Sequence, residues 1–202
     1  MAFPDLPYGP HGPTFHSVLH PMIRVNHAGE DGAKRIYEGQ LKALKNHGAY
    51  TIIEHMYHQE LEHLRTFDDL MKHHNVRPTF LSPLWNRAAY ALGWLSGKIG
   101  IETAMAITVA VEEVIDDHYK EQIDTLHRYA MPDSIPQHIT HENNVHDDVV
   151  SLAKTLERFR QDEQEHRDCG LEHEAEKAPF YPLIKECVKA ITRFAIFVSK
   201  KI

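Results

Sequence analysis

Cysteine is nearly missing from this sequence: there are two, Cys169 and Cys187, and no Cys-x-x-Cys pair. A disulfide framework is excluded and a reducing compartment is expected, with both thiols read as small buried side chains. Basic charge is also short. Lys and Arg number 22 against 29 Asp and Glu, a net charge of −7, which removes nucleic acid as a principal partner. No stretch alternates apolar and polar residues as a half-buried strand does, and no Asn-Gly hairpin signal occurs. A Gly-x-Gly-x-x-Gly fingerprint is missing, so a Rossmann nucleotide domain is not supported. The first twenty residues contain neither Lys nor Arg, which argues against a secretory signal or an Arg-rich transit peptide.

What is present reads as helices. Hydrophobic content of 42% within 202 residues suffices for one domain with a sizeable core. Five of the eleven prolines fall in residues 1–22 (Pro4, Pro7, Pro10, Pro13 and Pro21), which predicts an extended arm there and a single domain over 23–202. Apolar spacing predicts helices over about 26–46 and 49–74. Ser82-Pro83 starts another, which breaks near the glycines at 97–100, and a new helix continues to about Arg128. A loop is expected over 129–140, a long helix over 143–177 and a last one over 182–201. From Ala88 to Val111 the only formal charges are Lys98 and Glu102, yet those charges and the glycines argue against a transmembrane span.

Two helices carry the same short motif. Gln59-Glu60-Leu61-Glu62-His63 returns as Asp162-Glu163-Gln164-Glu165-His166. In each, Glu and His sit three residues apart, on one helix face. Two further carboxylates complete a pattern. Glu30 precedes Tyr37 by seven residues, and Glu112, at the end of Val109-Ala110-Val111, precedes Tyr119 by the same interval. The chain is two similar halves, each with Glu…Tyr followed by Glu-x-x-His. Four inward helices bearing these six residues are the ligand set of a dinuclear carboxylate site in a ferritin-like four-helix bundle. The remaining two helices are additional hydrophobic or amphipathic elements. Glu112 is the most telling of the six, because a carboxylate buried alone costs several kcal/mol or must protonate, whereas coordination removes the penalty. Mixed carboxylate and imidazole ligands suit iron or manganese. Glu62, Glu113 and Glu165 read as surface charges, and His118 as either solvated or supporting the site.

Ile23-Arg24-Val25-Asn26-His27-Ala28-Gly29-Glu30, with Gly32-Ala33 and Arg35-Ile36-Tyr37, resembles the opening helix of the demethoxyubiquinone hydroxylase family of ubiquinone biosynthesis. The likeness continues through Gln59-Glu60-x-x-His63-Leu64, Arg77-Pro78-Thr79, Thr108-Val109-Ala110-Val111-Glu112-Glu113, His118-Tyr119 and Asp162-Glu163-x-x-His166. The resemblance implies two iron ions held by Glu30, Glu60, His63, Glu112, Glu163 and His166, with His118 and Tyr119 as catalytic neighbours. It further implies a monooxygenase that hydroxylates the ring of a polyprenyl demethoxyquinol with O2, in the penultimate step to ubiquinone. Such a protein is peripheral, on the cytoplasmic face of a bacterial inner membrane or the matrix face of the mitochondrial one. Its partners are the quinol, O2, the membrane surface and a second copy or other ubiquinone-biosynthesis proteins. Two other readings share the residues: a ferritin-like iron oxidase or peroxide-handling enzyme, and a non-catalytic quinone-carrying subunit. In the last helix, Lys185, Lys189, Arg193, Lys200 and Lys201 beside an apolar face are expected to meet anionic lipid.

Overall fold

The computed structural model describes residues 15–130 and 143–201, and every regular element among them is helical. In chain order these are α1 (Phe15–Ala43), α2 (Tyr50–His73), α3 (Ser82–Ile99), α4 (Ile101–Ala130), α5 (Asn143–Glu172) and α6 (Tyr181–Ser199). A 3-10 turn, Ala175–Lys177, lies between the last two. α1, α2, α4 and α5 form the bundle; α3 lies along α1 and α6 along α4. The expected all-α bundle with two extra helices is what forms.

The helix starts and stops differ from expectation at several points. α1 begins at Phe15 and runs through Pro21, so the expected arm cannot extend to residue 22. A proline inside a helix forfeits a hydrogen bond and costs about 3 kcal/mol. Here Leu19 and Ile23, on either side of it, are fully buried against Phe67, Leu126 and Leu156, and that packing offsets the loss. At the other end, α5 stops at Glu172 rather than 177, because Glu174 adopts a left-handed φ of 62°. The α4 helix reaches Ala130, two residues into the expected loop; the rest of that loop and residues 1–14 lie outside the described residues. Among the described residues no helix is long and apolar enough to cross a membrane.

Two apolar layers fill the bundle. One holds Leu19, Ile23, Phe67, Ile123, Leu126, Leu152, Leu156 and Phe159. The other holds Leu44, Ile53, Met56, Met105, Val109 and Ala175. On each of the four bundle helices the acidic position of interest falls between its contributions to these layers. The fold thus places four carboxylates at mid-height of the core, between these two apolar layers. Outside the bundle, α3 approaches α1 at backbone contact. A Cβ added at Gly39 would lie 2.3 Å from the Tyr90 carbonyl oxygen, and one at Gly93 would lie 2.0 Å from that of Ile36. Only glycine permits the two backbones to lie this close.

Candidate metal centre

All six expected ligands are buried, none more than 3% exposed: Glu30 from α1, Glu60 and His63 from α2, Glu112 from α4, Glu163 and His166 from α5. They gather into two overlapping groups. Ligand atoms of Glu30, Glu60, His63 and Glu163 lie within 4.8 Å of one another, as do those of Glu60, Glu112, Glu163 and His166. Glu60 and Glu163 belong to both groups, so they stand between two positions that a cation could take. Each position then has one further Glu and one His of its own.

The orientation of both imidazoles follows from their outer partners. His63 Nε2 lies 2.9 Å from Asp162 Oδ2, and a carboxylate only accepts, so Nε2 donates. Gln59 turns its amide nitrogen toward Asp162 Oδ1 at 3.5 Å, which leaves its oxygen facing His166 Nε2 at 3.0 Å. That nitrogen donates as well. Both Nδ1 atoms therefore point their lone pairs inward. His63 Nδ1 is 3.3 Å from Glu163 Oε1 and 3.5 Å from Glu30 Oε2; His166 Nδ1 is 3.2 Å from Glu60 Oε1 and 3.3 Å from Glu163 Oε2. Lone pairs face lone pairs, an arrangement that only a proton or a metal ion can bridge.

The tyrosines cross between the halves. Tyr37 donates to Glu112 Oε1 at 2.9 Å, and Tyr119 donates to Glu30 Oε1. The seven-residue spacing correctly puts each tyrosine on its glutamate's face, but each serves the glutamate of the opposite half. Ring packing closes the flanks: His63 stacks on Phe159 at 3.9 Å, and Tyr37 meets His166 edge-on at 5.9 Å.

Six polar atoms of the cluster have no hydrogen-bond partner: both oxygens of Glu60, Oε2 of Glu112 and of Glu163, and Nδ1 of His63 and of His166. Buried polar atoms are rarely left so. Burial, together with the charge on Glu163, pushes the Glu60 and Glu112 carboxyls well above their ordinary range. Burial acts the same way on Glu163, but His166 and His63 outweigh it and hold that carboxyl down to about 2. Burial also opposes charge on His63; Asp162, Glu163 and Glu30 prevail and raise it. Four carboxylates carry −4, which two divalent ions would cancel, and the inward lone pairs and orphaned oxygens are the donors such ions require. The residues present fit a pair of metal ions.

His118 is placed differently from Tyr119. It is buried and bonds Gln122 Nε2 at 2.7 Å, while the Gln122 and Asn26 amides exchange two bonds of 2.7 and 2.8 Å. Burial, with Lys200 nearby, lowers its pKa to about 3, so the ring is neutral. Gln59, Asn26 and Gln122 carry no signal of their own in the sequence. Gln59 was findable only by aligning the halves, since it occupies the position that Asp162 occupies in the second.

Residues 17–199 match the family described as Ubiquinone biosynthesis protein COQ7. The chain belongs to that family. It is 43% identical over 92% of its length to a Dictyostelium discoideum protein named NADPH-dependent 3-demethoxyubiquinone 3-hydroxylase, mitochondrial, of which it covers 78%. A Homo sapiens protein of the same name is 42% identical over 90% of this chain and 76% of its own length. The Rhodospirillum rubrum 3-demethoxyubiquinol 3-hydroxylase is 39% identical over 96% of this chain and 82% of its own.

Proposed function

We propose that this COQ7-family chain is a di-iron monooxygenase that hydroxylates the ring of a polyprenyl demethoxyquinol in ubiquinone biosynthesis. The observation that carries the metal part is the double cluster with Glu60 and Glu163 common to both groups and its inward donors without partners. Relatives at about 40% identity over most of the chain, named as demethoxyubiquinone or demethoxyubiquinol hydroxylases, carry the substrate class. Iron bound there would supply the activation of O2, one atom entering the ring and the other leaving as water with two electrons and two protons from a reductant. The Dictyostelium and human proteins are named NADPH-dependent and for the quinone, whereas the Rhodospirillum name specifies the quinol.

The chain's own residues do the rest. Glu30 and His63 hold one position, Glu112 and His166 the other, and Glu60 and Glu163 join them. Tyr119 is a positioning residue for Glu30 and Tyr37 for Glu112. His118 acts at one remove, through Gln122 and Asn26, which fasten α4 to α1 beside the site. Apolar layers above and below exclude water. An apolar cavity of about 290 Å³ lies between α1, α3, α4 and α6, lined by Gly29, Gly32, Ala33, Trp85, Val111 and Val188 among others. Gly29 and Val111 neighbour Glu30 and Glu112 in sequence, so this cavity is the approach by which a quinol ring reaches the cluster.

The helices α3 and α6, which wall this cavity, expose Leu84, Leu95, Ile99, Leu183, Ile191, Phe194 and Phe197. With no spanning helix among the described residues, these favour peripheral attachment to a membrane surface that holds the quinol's tail. The apolar approach and exposed apolar helices favour a lipid substrate over iron oxidation. The test is metal analysis of purified protein followed by mass analysis of product from demethoxyquinol, O2 and a reductant. Two irons per chain and a product one oxygen atom heavier are expected. A metal-free protein without turnover supports a carrier subunit instead.

A further inference from the structure

The two halves of the cluster match in their six candidate ligand positions and two tyrosines, but the outer partner of each histidine differs. Each has a carboxylate of its own receiving a tyrosine hydroxyl, Tyr119 on Glu30 and Tyr37 on Glu112. Each has a Glu three residues before a His, with the ring's Nδ1 turned inward. The residue preceding that Glu differs: Gln59 in the first half, Asp162 in the second. Each reaches across the bundle to the imidazole of the facing helix. His63 is therefore backed by a carboxylate at 2.9 Å and His166 by a neutral amide oxygen at 3.0 Å. The Gln59 amide also donates to Asp162 at 3.5 Å, so the four groups form one chain: His166, Gln59, Asp162, His63.

We propose that this strap makes the two metal positions unequal, with the Glu30–His63 position filled first and the Glu112–His166 position second. The inference rests on the two-metal reading above. A carboxylate on the outer nitrogen makes an imidazole a stronger donor and adds a negative charge beside the ion it binds; such partners are worth about 10–100-fold in affinity. An amide oxygen fixes the ring's tautomer but brings no charge. The strap also explains why the unequal pair does not distort the halves. Gln59 lends a proton to Asp162 and an oxygen to His166, so both rings stay in the same orientation while only one receives full charge. Asp162 stands at the rim of the core, its side chain 26% exposed, so it adds charge without being left buried and unpaired.

The experiment is titration of the metal-stripped full chain with cobalt(II), followed by calorimetry and by the ion's visible bands. Wild type is expected to take two ions in two resolved steps. Glu30→Gln should remove the first, tight step; Glu112→Gln should leave it and remove the second. Asp162→Asn keeps the shape and loses the charge, and it should weaken the first step about tenfold or more. Gln59→Glu should tighten the second step by a similar factor and narrow the gap. Melting curves of the stripped variants establish that each is folded. Equal effects of Glu30→Gln and Glu112→Gln on both steps, or a first step unmoved by Asp162→Asn, would overturn the inequality. Uptake of fewer than two ions by wild type overturns the two-metal reading itself.

Discussion

At the scale of single residues, the tyrosine of each half donates to the glutamate of the other, so the two halves hold one another's carboxylates in place. The six clustered residues were legible because they recur in two halves at fixed spacing, and because Glu112 follows residues that belong in a core. Their hydrogen-bond partners were less legible. Nothing local distinguishes Tyr119 serving Glu30 from Tyr37 doing so, since both tyrosines lie on the correct face and only the packing of α1 against α4 decides. Two predictions belong here. Glu112→Gln has the shape and charge of the protonated acid that burial favours in the metal-free protein. Its melting temperature without metal should match or exceed that of wild type, while bound metal falls by half and hydroxylation is lost; a normal metal content checked by plasma emission sinks the assignment. Tyr119→Phe removes the hydroxyl that donates to Glu30. A hydrogen bond to a charged group contributes about 1.5–3 kcal/mol, so metal affinity should drop roughly ten- to hundredfold. Competition with a chelator of known affinity measures it.

Among the helices, boundaries failed where tertiary packing overrode a local signal. Pro21 reads as part of an extended arm, yet α1 passes through it because Leu19 and Ile23 have a core to enter. The break expected near residues 97–100 does fall at Gly100, at φ 157°, whereas Gly93 and Gly97 lie inside the helix and face α1. This difference gives a prediction whose sign is decisive. In a free helix Gly93→Ala stabilises by about 1 kcal/mol. Against the Ile36 carbonyl it forces α3 outward, an overpacking cost of about 1–3 kcal/mol. Melting should therefore fall by roughly 2–10 °C, on the scale for a chain of this size, and the cavity between the helices should lose its shape. A rise in melting temperature would mean that α3 is not seated on α1 as described. Charges on α6 also needed the structure. Lys185 and Lys189 both bind Glu113, at 2.5 and 2.7 Å, which fastens α6 to α4. The expectation that they meet lipid, with Glu113 a plain surface charge, is replaced by that contact.

For the molecule as a whole, the cluster and the exposed helices pose two connected problems of solvation. A core with four carboxylates at its centre is least stable without cations, so stripping metal should lower the melting temperature. Ligand present at a hundred times its dissociation constant adds about 2.7 kcal/mol, equivalent to roughly 5–10 °C here, and scanning calorimetry of loaded and chelated protein reads it. On the outside the imbalance is reversed: apolar side chains of α3 and α6, two of the helices that wall the apolar cavity, face solvent. An insoluble quinol needs such a surface, because its tail cannot leave lipid while its ring enters. With Lys185 and Lys189 held by Glu113 and Lys200 half-buried, its charge disfavoured by that burial, the proposed attachment is expected to rest on apolar contact more than on attraction to anionic headgroups. Replacing Leu183, Phe194 and Phe197 with Ser removes exposed area and touches neither the ligands nor the Glu113 contact. At about 25 cal/mol per Å² of apolar surface, three such side chains contribute several kcal/mol to insertion. Binding to neutral phosphatidylcholine vesicles should fall at least tenfold, as should turnover of a long-tailed quinol, while a tailless soluble analogue is still hydroxylated. Changing Arg193 and Lys201 to Glu should weaken binding only to anionic vesicles. Equal loss on both substrates in the serine variant would mean that these side chains support the fold, and that the quinol arrives by another face.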